Sequence, residues 1–373
     1  MKYVKGFDSL RAFGTFFVVI GHFGVWFDTT LPRGKFFKEV VIPDGRLCVY
    51  FFFVLSGFLI TNILLKAKEE NITENRFYTL KNYIIRRSLR IYPLYYLLMA
   101  VLFLVNFPDV RQNIIYFATY TSNLLIYRTY VWNEFCVTWT LSIEEQFYLL
   151  WPIIVLFVKE KYLVWILAVA IVTGIVSTYF TVGIEGHIAP CLVYNCFDAF
   201  GIGSLYAYVK INSYKWAQFE KVVKWIACIG IVIYFYWKLS WFFNHPPVCM
   251  FMEKTIYSVI GLWLMILVIN NKSAWLARHI WENRVLNFIG KMSYSVYLIH
   301  DVYINGCYLR VNKFLNRITG HHHTLNTILL ERHFNYLLHV VTIFLISLTT
   351  YLLIEKPTLN LKRFYSYNKP VSM

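Results

Sequence analysis

The chain has 373 residues, 58% of them hydrophobic and only 15% charged, and its mean hydropathy is +0.51. Soluble domains need more charge than this to cover their surface, so the composition excludes them and points to a polytopic helical membrane protein, in which ten spans of about 20 residues still leave chain for loops and ends. The net charge of +16 fits positive-inside bias together with an anionic ligand better than nucleic-acid binding, because the basic residues lie between apolar runs.

In chain order, apolar runs fall near 9–27, 47–65, 91–107, 143–158, 162–183, 191–209, 225–243, 255–269, 288–309 and 334–354. The first has no small-residue cleavage site and reads as a retained span. It carries Arg11 and His22, which are 11 residues apart. At about 100° per residue they share one helix face, roughly 16 Å apart along the axis. Asp8 lies one turn before Arg11. Charged and titratable groups inside spans are candidates for function, although a snorkelling arginine and a hydrogen-bonded core histidine fit the spacing equally. Ser56-Gly57-Phe58 and, later, Gly201-Ile202-Gly203 read as close-packing contacts between helices.

Before the third run stands Arg86-Arg87-Ser88-Leu89-Arg90. Arg87 and Arg90 are neighbours on one helix face. They suit either forked binding of a phosphate or simple anchoring at the cytoplasmic boundary. An eleventh run, 113–127, carries Asn113, Thr119, Thr121, Ser122 and Asn123. Arg86, Arg87 and Arg90 before it, and Lys159 and Lys161 after the next run, all favour the cytoplasm. Only two crossings fit between them, so 113–127 is expected to be re-entrant or interfacial. The result is an all-α protein of about ten transmembrane helices with both termini cytoplasmic, and the longest loops fall at 66–90 and 310–333.

Trp139-Thr140-Leu141-Ser142-Ile143-Glu144-Glu145-Gln146-Phe147-Tyr148 opens the fourth span at the outer edge. A carboxylate there can orient a histidine or bind sugar hydroxyls, or only favour a helix N-terminus. Adjacent glutamates face different ways, so one of the two is expected to point inward. His300-Asp301 places a second buried histidine near the outer side, and His321-His322-His323 lies in a polar loop. Seven cysteines show no CxxC and no regular spacing, so neither a zinc site nor a disulfide framework is expected.

In this order, the motifs resemble the acyltransferase 3 family of integral-membrane acyltransferases that O-acylate surface polysaccharides. Arg11 with His22 is similar to its Arg-x10-His pattern, and Tyr50 to Thr61 to its second-helix signature. Arg87 and Arg90 are similar to its Arg-x-x-Arg motif. Trp139 to Tyr148 is similar to its Trp-Ser-Leu-x-x-Glu-x-Gln-Phe-Tyr motif, with Thr140 in place of Ser. Ile289 to His300, and Ile354-Glu355-Lys356-Pro357, fit its last two spans. The sequence departs from the family at Asn195-Cys196-Phe197-Asp198, where an arginine often precedes the Phe-Asp pair.

The resemblance implies one transmembrane domain over residues 1–373, in the stand-alone form without a hydrolase-like domain after the last span. It also implies a multi-pass protein of the inner or plasma membrane, a cytoplasmic acyl-CoA donor (usually acetyl-CoA) and a hydroxyl of an extracytoplasmic polysaccharide or other glycan as acceptor. No metal and no nucleic acid enter. Under this reading His22 is the base, Arg87 and Arg90 hold the donor, and Arg11 steadies the thioester carbonyl or a phosphate. Glu144 either orients His22 or binds the acceptor, with Trp139 and His300 as further acceptor contacts. A transporter or flippase of a glycan or anionic metabolite is the alternative class; no inverted repeat supports it. A non-catalytic membrane partner is a third, opposed by the intact Arg11, His22, Arg87, Arg90 and Glu144.

Overall fold

The computed structural model describes residues 4, 6–23, 32–70, 76–107, 109–132, 134–212, 215–245, 249–271, 273–307 and 325–367. Among them the protein is helical with no strand, as the hydropathy requires. In lipid only a backbone bonded within its own segment, or a closed barrel, satisfies every amide. The main helices are α1 (Gly6–Phe23), α2 (Gly45–Glu70), α3 (Arg76–Leu104), α4 (Thr138–Phe157), α5 (Glu160–Glu185), α6 (Phe197–Asn212), α7 (Trp216–Phe242), α8 (Glu253–Ile269), α9 (Arg284–Lys291), α10 (Ser293–Val302) and α11 (Leu325–Thr350).

Seven helical stretches among the described residues are long and apolar enough to cross a membrane. The chain is therefore a multi-pass membrane protein. Three expected spans are not long uninterrupted helices over the described residues. α1 has 18 residues and α6 has 16, whereas the ninth run is divided at Met292 into α9 and α10, followed by a π-helical turn, Tyr303–Cys307. The loop expected over 66–90 is mostly helix, because α2 runs to Glu70 and α3 begins at Arg76. Hydropathy marks only the apolar core of a helix and misses the polar turns that continue beyond it. α11 likewise begins at Leu325, nine residues before the apolar run. His321, His322 and His323 lie outside the described residues.

The polar run 113–127 forms two short helices, Ile114–Ala118 and Ser122–Thr129, with Tyr120 left-handed between them at φ 52°. Ser122 and Asn123 face protein rather than lipid, whereas Thr119 is exposed. Gln146 Nε2 donates to the Tyr120 carbonyl at 3.1 Å and to Asn123 Oδ1 at 3.0 Å, and Asn123 Nδ2 donates to the Cys191 carbonyl at 2.9 Å.

α2 is the central helix. Phe51, Phe53, Val54, Phe58, Ile60 and Leu64 along it are all buried, and α1, α4, α6 and α8 pack around it, as expected for a helix apolar on every side. Its crossing with α6 is close enough to require glycine. A Cβ at Gly57 would strike the Phe200 carbonyl, and one at Gly203 the Val54 carbonyl. Gly57→Ala is therefore expected to destabilise the fold by about 1–3 kcal/mol, seen as a lowered unfolding temperature in detergent; an unchanged temperature would mean that the two helices part freely. An aromatic stack locks the same junction, with Phe200 against Phe53 at 4.7 Å and against Phe147 at 4.0 Å between ring centroids.

Asp198, which follows the position where the family resemblance calls for arginine, finds its cation on another helix. Lys254 of α8 lies 3.3 Å from Asp198 Oδ1, and Thr255 Oγ1 donates to Asp198 Oδ2 at 2.6 Å. Both ends of this pair are buried, so it joins α6 to α8 inside the bundle.

Candidate active site

A cavity of about 640 Å³ opens between α1, α2, α3, α4 and α10 and the C-terminal residues 362–367. Six of its lining residues are basic, Arg11, Lys66, Arg86, Arg87, Arg90 and Lys362, and one, Glu144, is acidic. Residues as far apart in the chain as Arg11 and Lys362 are thus brought together. Arg87 and Arg90 face the cavity together because they are one helical turn apart on α3.

Each charged group is held by its neighbours. The Arg87 guanidinium lies 4.4 Å over the Tyr148 ring and 5.9 Å from that of Tyr83, within cation–π range of both. Glu144 accepts from Tyr148 Oη at 2.8 Å and from Ser56 Oγ at 3.4 Å, and those two hydroxyls are 2.9 Å apart. Arg11 Nη1 donates to Asp8 Oδ1 at 2.7 Å, across the single turn that the sequence places between them. At the other end of the site Ser295 donates to Glu355.

The far wall of the cavity is made by Thr15, Thr140 and Tyr297. Thr140 Oγ1 and Tyr297 Oη are 2.5 Å apart. The Tyr297 ring meets His300 at 5.6 Å, and His300 meets His22 edge to face at 5.0 Å and 82°. Neither histidine lines the cavity; they stand just behind Tyr297. His300 is fully buried, and its Nδ1 is 3.1 Å from the Val296 carbonyl. A carbonyl only accepts, so Nδ1 carries the proton and Nε2 is left as an acceptor. Nε2 has no partner among the described residues. Cys136, in the turn before α4, is no rival nucleophile: burial, then the nearby Asp301 carboxylate, pushes its thiol up to about 12, so it stays protonated.

Three sequence expectations change here. Glu144 does not reach His22; its partners are Tyr148 and Ser56, and the ring against His22 is that of His300. Trp139 is not in the cavity lining but packs on Phe53 and Trp132, at 6.4 and 6.1 Å between centroids, so it is placed as a packing residue. Both adjacent glutamates point inward, not one. Glu145 is buried on a different side of α4, where Tyr92 Oη donates to it at 3.3 Å and Oε1 lacks a partner among the described residues.

A family model described as an acyltransferase domain matches residues 4–356. The chain belongs to the acyltransferase 3 family. Among curated relatives, the chain is 26% identical over 343 residues to a Staphylococcus aureus protein provisionally named an O-acetyltransferase, a match covering 82% of this chain and 53% of that protein. It is 28% identical over 327 residues to the peptidoglycan O-acetyltransferase OatA of Listeria monocytogenes, covering 80% of this chain and 49% of the relative. The chain spans about half the length of the curated relatives it matches. No solved structure matches it.

Sequence reasoning missed several members of the cavity lining. Tyr148 was legible, since it follows Glu144 by four residues and so shares its helix face. Ser56 was hidden beside a packing glycine, and nothing in the sequence pointed to Lys362. The two glutamates make a direct comparison. Glu144→Gln removes a charged acceptor from the cavity and is expected to lower acyl transfer roughly tenfold or more. Glu145→Gln, away from the cavity, is expected to leave transfer within about threefold of wild type. Initial rates of the two purified variants decide it, and the reverse ranking would move the site to the Tyr92 side of α4.

Proposed function

We propose that this acyltransferase is an O-acetyltransferase of the cell membrane that moves an acetyl group from cytoplasmic acetyl-CoA to a hydroxyl of an extracytoplasmic glycan. The observation that carries the reading is a chain of contacts: a strongly basic cavity ends at Tyr297, the Tyr297 ring meets His300, and His300 meets His22. A polyanionic donor is matched by the basic lining of the cavity, and an attacking hydroxyl by an imidazole able to take its proton. The peptidoglycan activity in the name of the Listeria relative supports a peptidoglycan sugar as the first acceptor to test.

In this mechanism Arg87 and Arg90 bind donor phosphates, and the slender thioester arm runs along α1 past Arg11 towards His22. His22 takes the proton of the acceptor hydroxyl as its oxygen attacks the thioester carbon. The C–S bond breaks, the sulfur leaves as thiolate, and the proton on His22 returns to it. The products are an acetyl ester and CoA thiol, so atoms and charge balance. The His300 ring packs edge to face on the His22 ring and keeps it oriented as the imidazolium forms. Ten spans with both termini cytoplasmic put the arginines on the donor's side.

The test is mass spectrometry of surface glycans from cells with and without the gene. Loss of O-acetyl groups from one glycan without the gene is the expected result. Unchanged acetylation of every glycan, in cells that express the protein, would overturn the reading.

A further inference from the structure

The family match ends at residue 356, yet the cavity has a wall beyond that point. Residues 361–367 turn back along the N-terminal half of α3 and are tied there by four hydrogen bonds. Arg86 Nη1 donates to the carbonyls of Lys362 and Tyr365 at 2.7 and 2.8 Å. Asn82 Nδ2 donates to the Ser366 carbonyl at 2.6 Å, and Thr79 Oγ1 to the Tyr367 carbonyl at 3.2 Å. The Arg86 guanidinium also lies 4.7 Å over the Tyr367 ring. Arg86 is thereby committed to the strap.

Lys362, Ser366 and Tyr367 of this strap line the cavity. Among the described residues, Arg87, Arg90 and Lys362 form no ion pair with a carboxylate. Three cations that share one cavity whose lining holds a single carboxylate, Glu144, repel one another, and a bound polyanion removes that repulsion.

Resting on the proposed acetyl-CoA reading, we infer that the strap is part of the donor site: Lys362 contacts a phosphate of the donor, and the ring of Tyr367 forms the wall beside its nucleotide. Arg86 positions the strap and does not itself bind the donor. The phosphate is thus held from two sides, by α3 through Arg87 and Arg90 and by the strap through Lys362.

The experiment measures binding of acetyl-CoA, and of acetyl-pantetheine, which lacks the nucleotide and its phosphates, to the full-length protein in detergent. Lys362→Gln is expected to weaken acetyl-CoA binding about tenfold or more, the usual loss for a charge-assisted contact. It should leave acetyl-pantetheine binding unchanged, and Lys362→Arg should bind acetyl-CoA nearly as wild type. Wild-type affinity for acetyl-CoA in Lys362→Gln, or an equal loss for both compounds, would overturn the inference. Failure of the wild-type protein itself to bind acetyl-CoA would instead overturn the donor reading on which it rests. Arg86→Ala is the second variant: with the strap released, acetyl-CoA binding should fall and residues 361–367 should become open to protease, whereas a released strap with intact binding again rejects the inference.

Discussion

Replacing His22 with alanine is expected to lower acetyl transfer by about 10²–10⁴, the usual effect of losing a general base. The side chain is exposed at the end of α1, so alanine leaves no buried hole, and expression, insertion and unfolding temperature should stay near wild type. His300→Ala is a different lesion. It removes a fully buried ring behind Tyr297, so it should lower both activity and stability. The comparison separates chemistry from packing. Transfer by His22→Ala within about tenfold of wild type would remove His22 from the mechanism.

Arg87→Lys with Arg90→Lys gives the second large effect. Topology depends on positive charge alone, whereas phosphate recognition by a guanidinium depends on its planar fork. The double variant should therefore insert normally. Its apparent KM for acetyl-CoA should rise roughly tenfold or more, because two forks become point charges and the stacking of Arg87 on Tyr148 is lost. Steady-state kinetics at varied donor concentration measure this. An unchanged KM would make these arginines anchors of α3 and leave donor binding to the rest of the basic wall.

Much of the helical architecture was legible from hydropathy because burial in lipid demands long apolar helices. Packing at Gly57 and Gly203 was legible as well, since only close contact makes glycine useful there. Pairwise geometry was less so. The spacing of Arg11 and His22 on one helix is fixed by helix geometry and could be read directly. Which helix supplies the partner of His22, or of Asp198, depends on how separate helices cross. His300 and Lys254 therefore emerged only in three dimensions. The ends of helices were misread where polar turns continue past the membrane, as at Glu70 and Arg76. Lys362 had no signal at all, because its role depends on a chain reversal after α11 that no periodicity records.

The central claim is that one cavity delivers an acetyl group from CoA to the histidine pair. It is tested most directly by reconstituting the protein in liposomes with acetyl-labelled acetyl-CoA on the cytoplasmic side and a soluble glycan fragment on the other. The account predicts label in ester linkage on the glycan, CoA thiol released in equal amount, and loss of both with His22→Ala. Glycan or anionic metabolite crossing the bilayer, with no thioester consumed, would contradict it and identify a transporter.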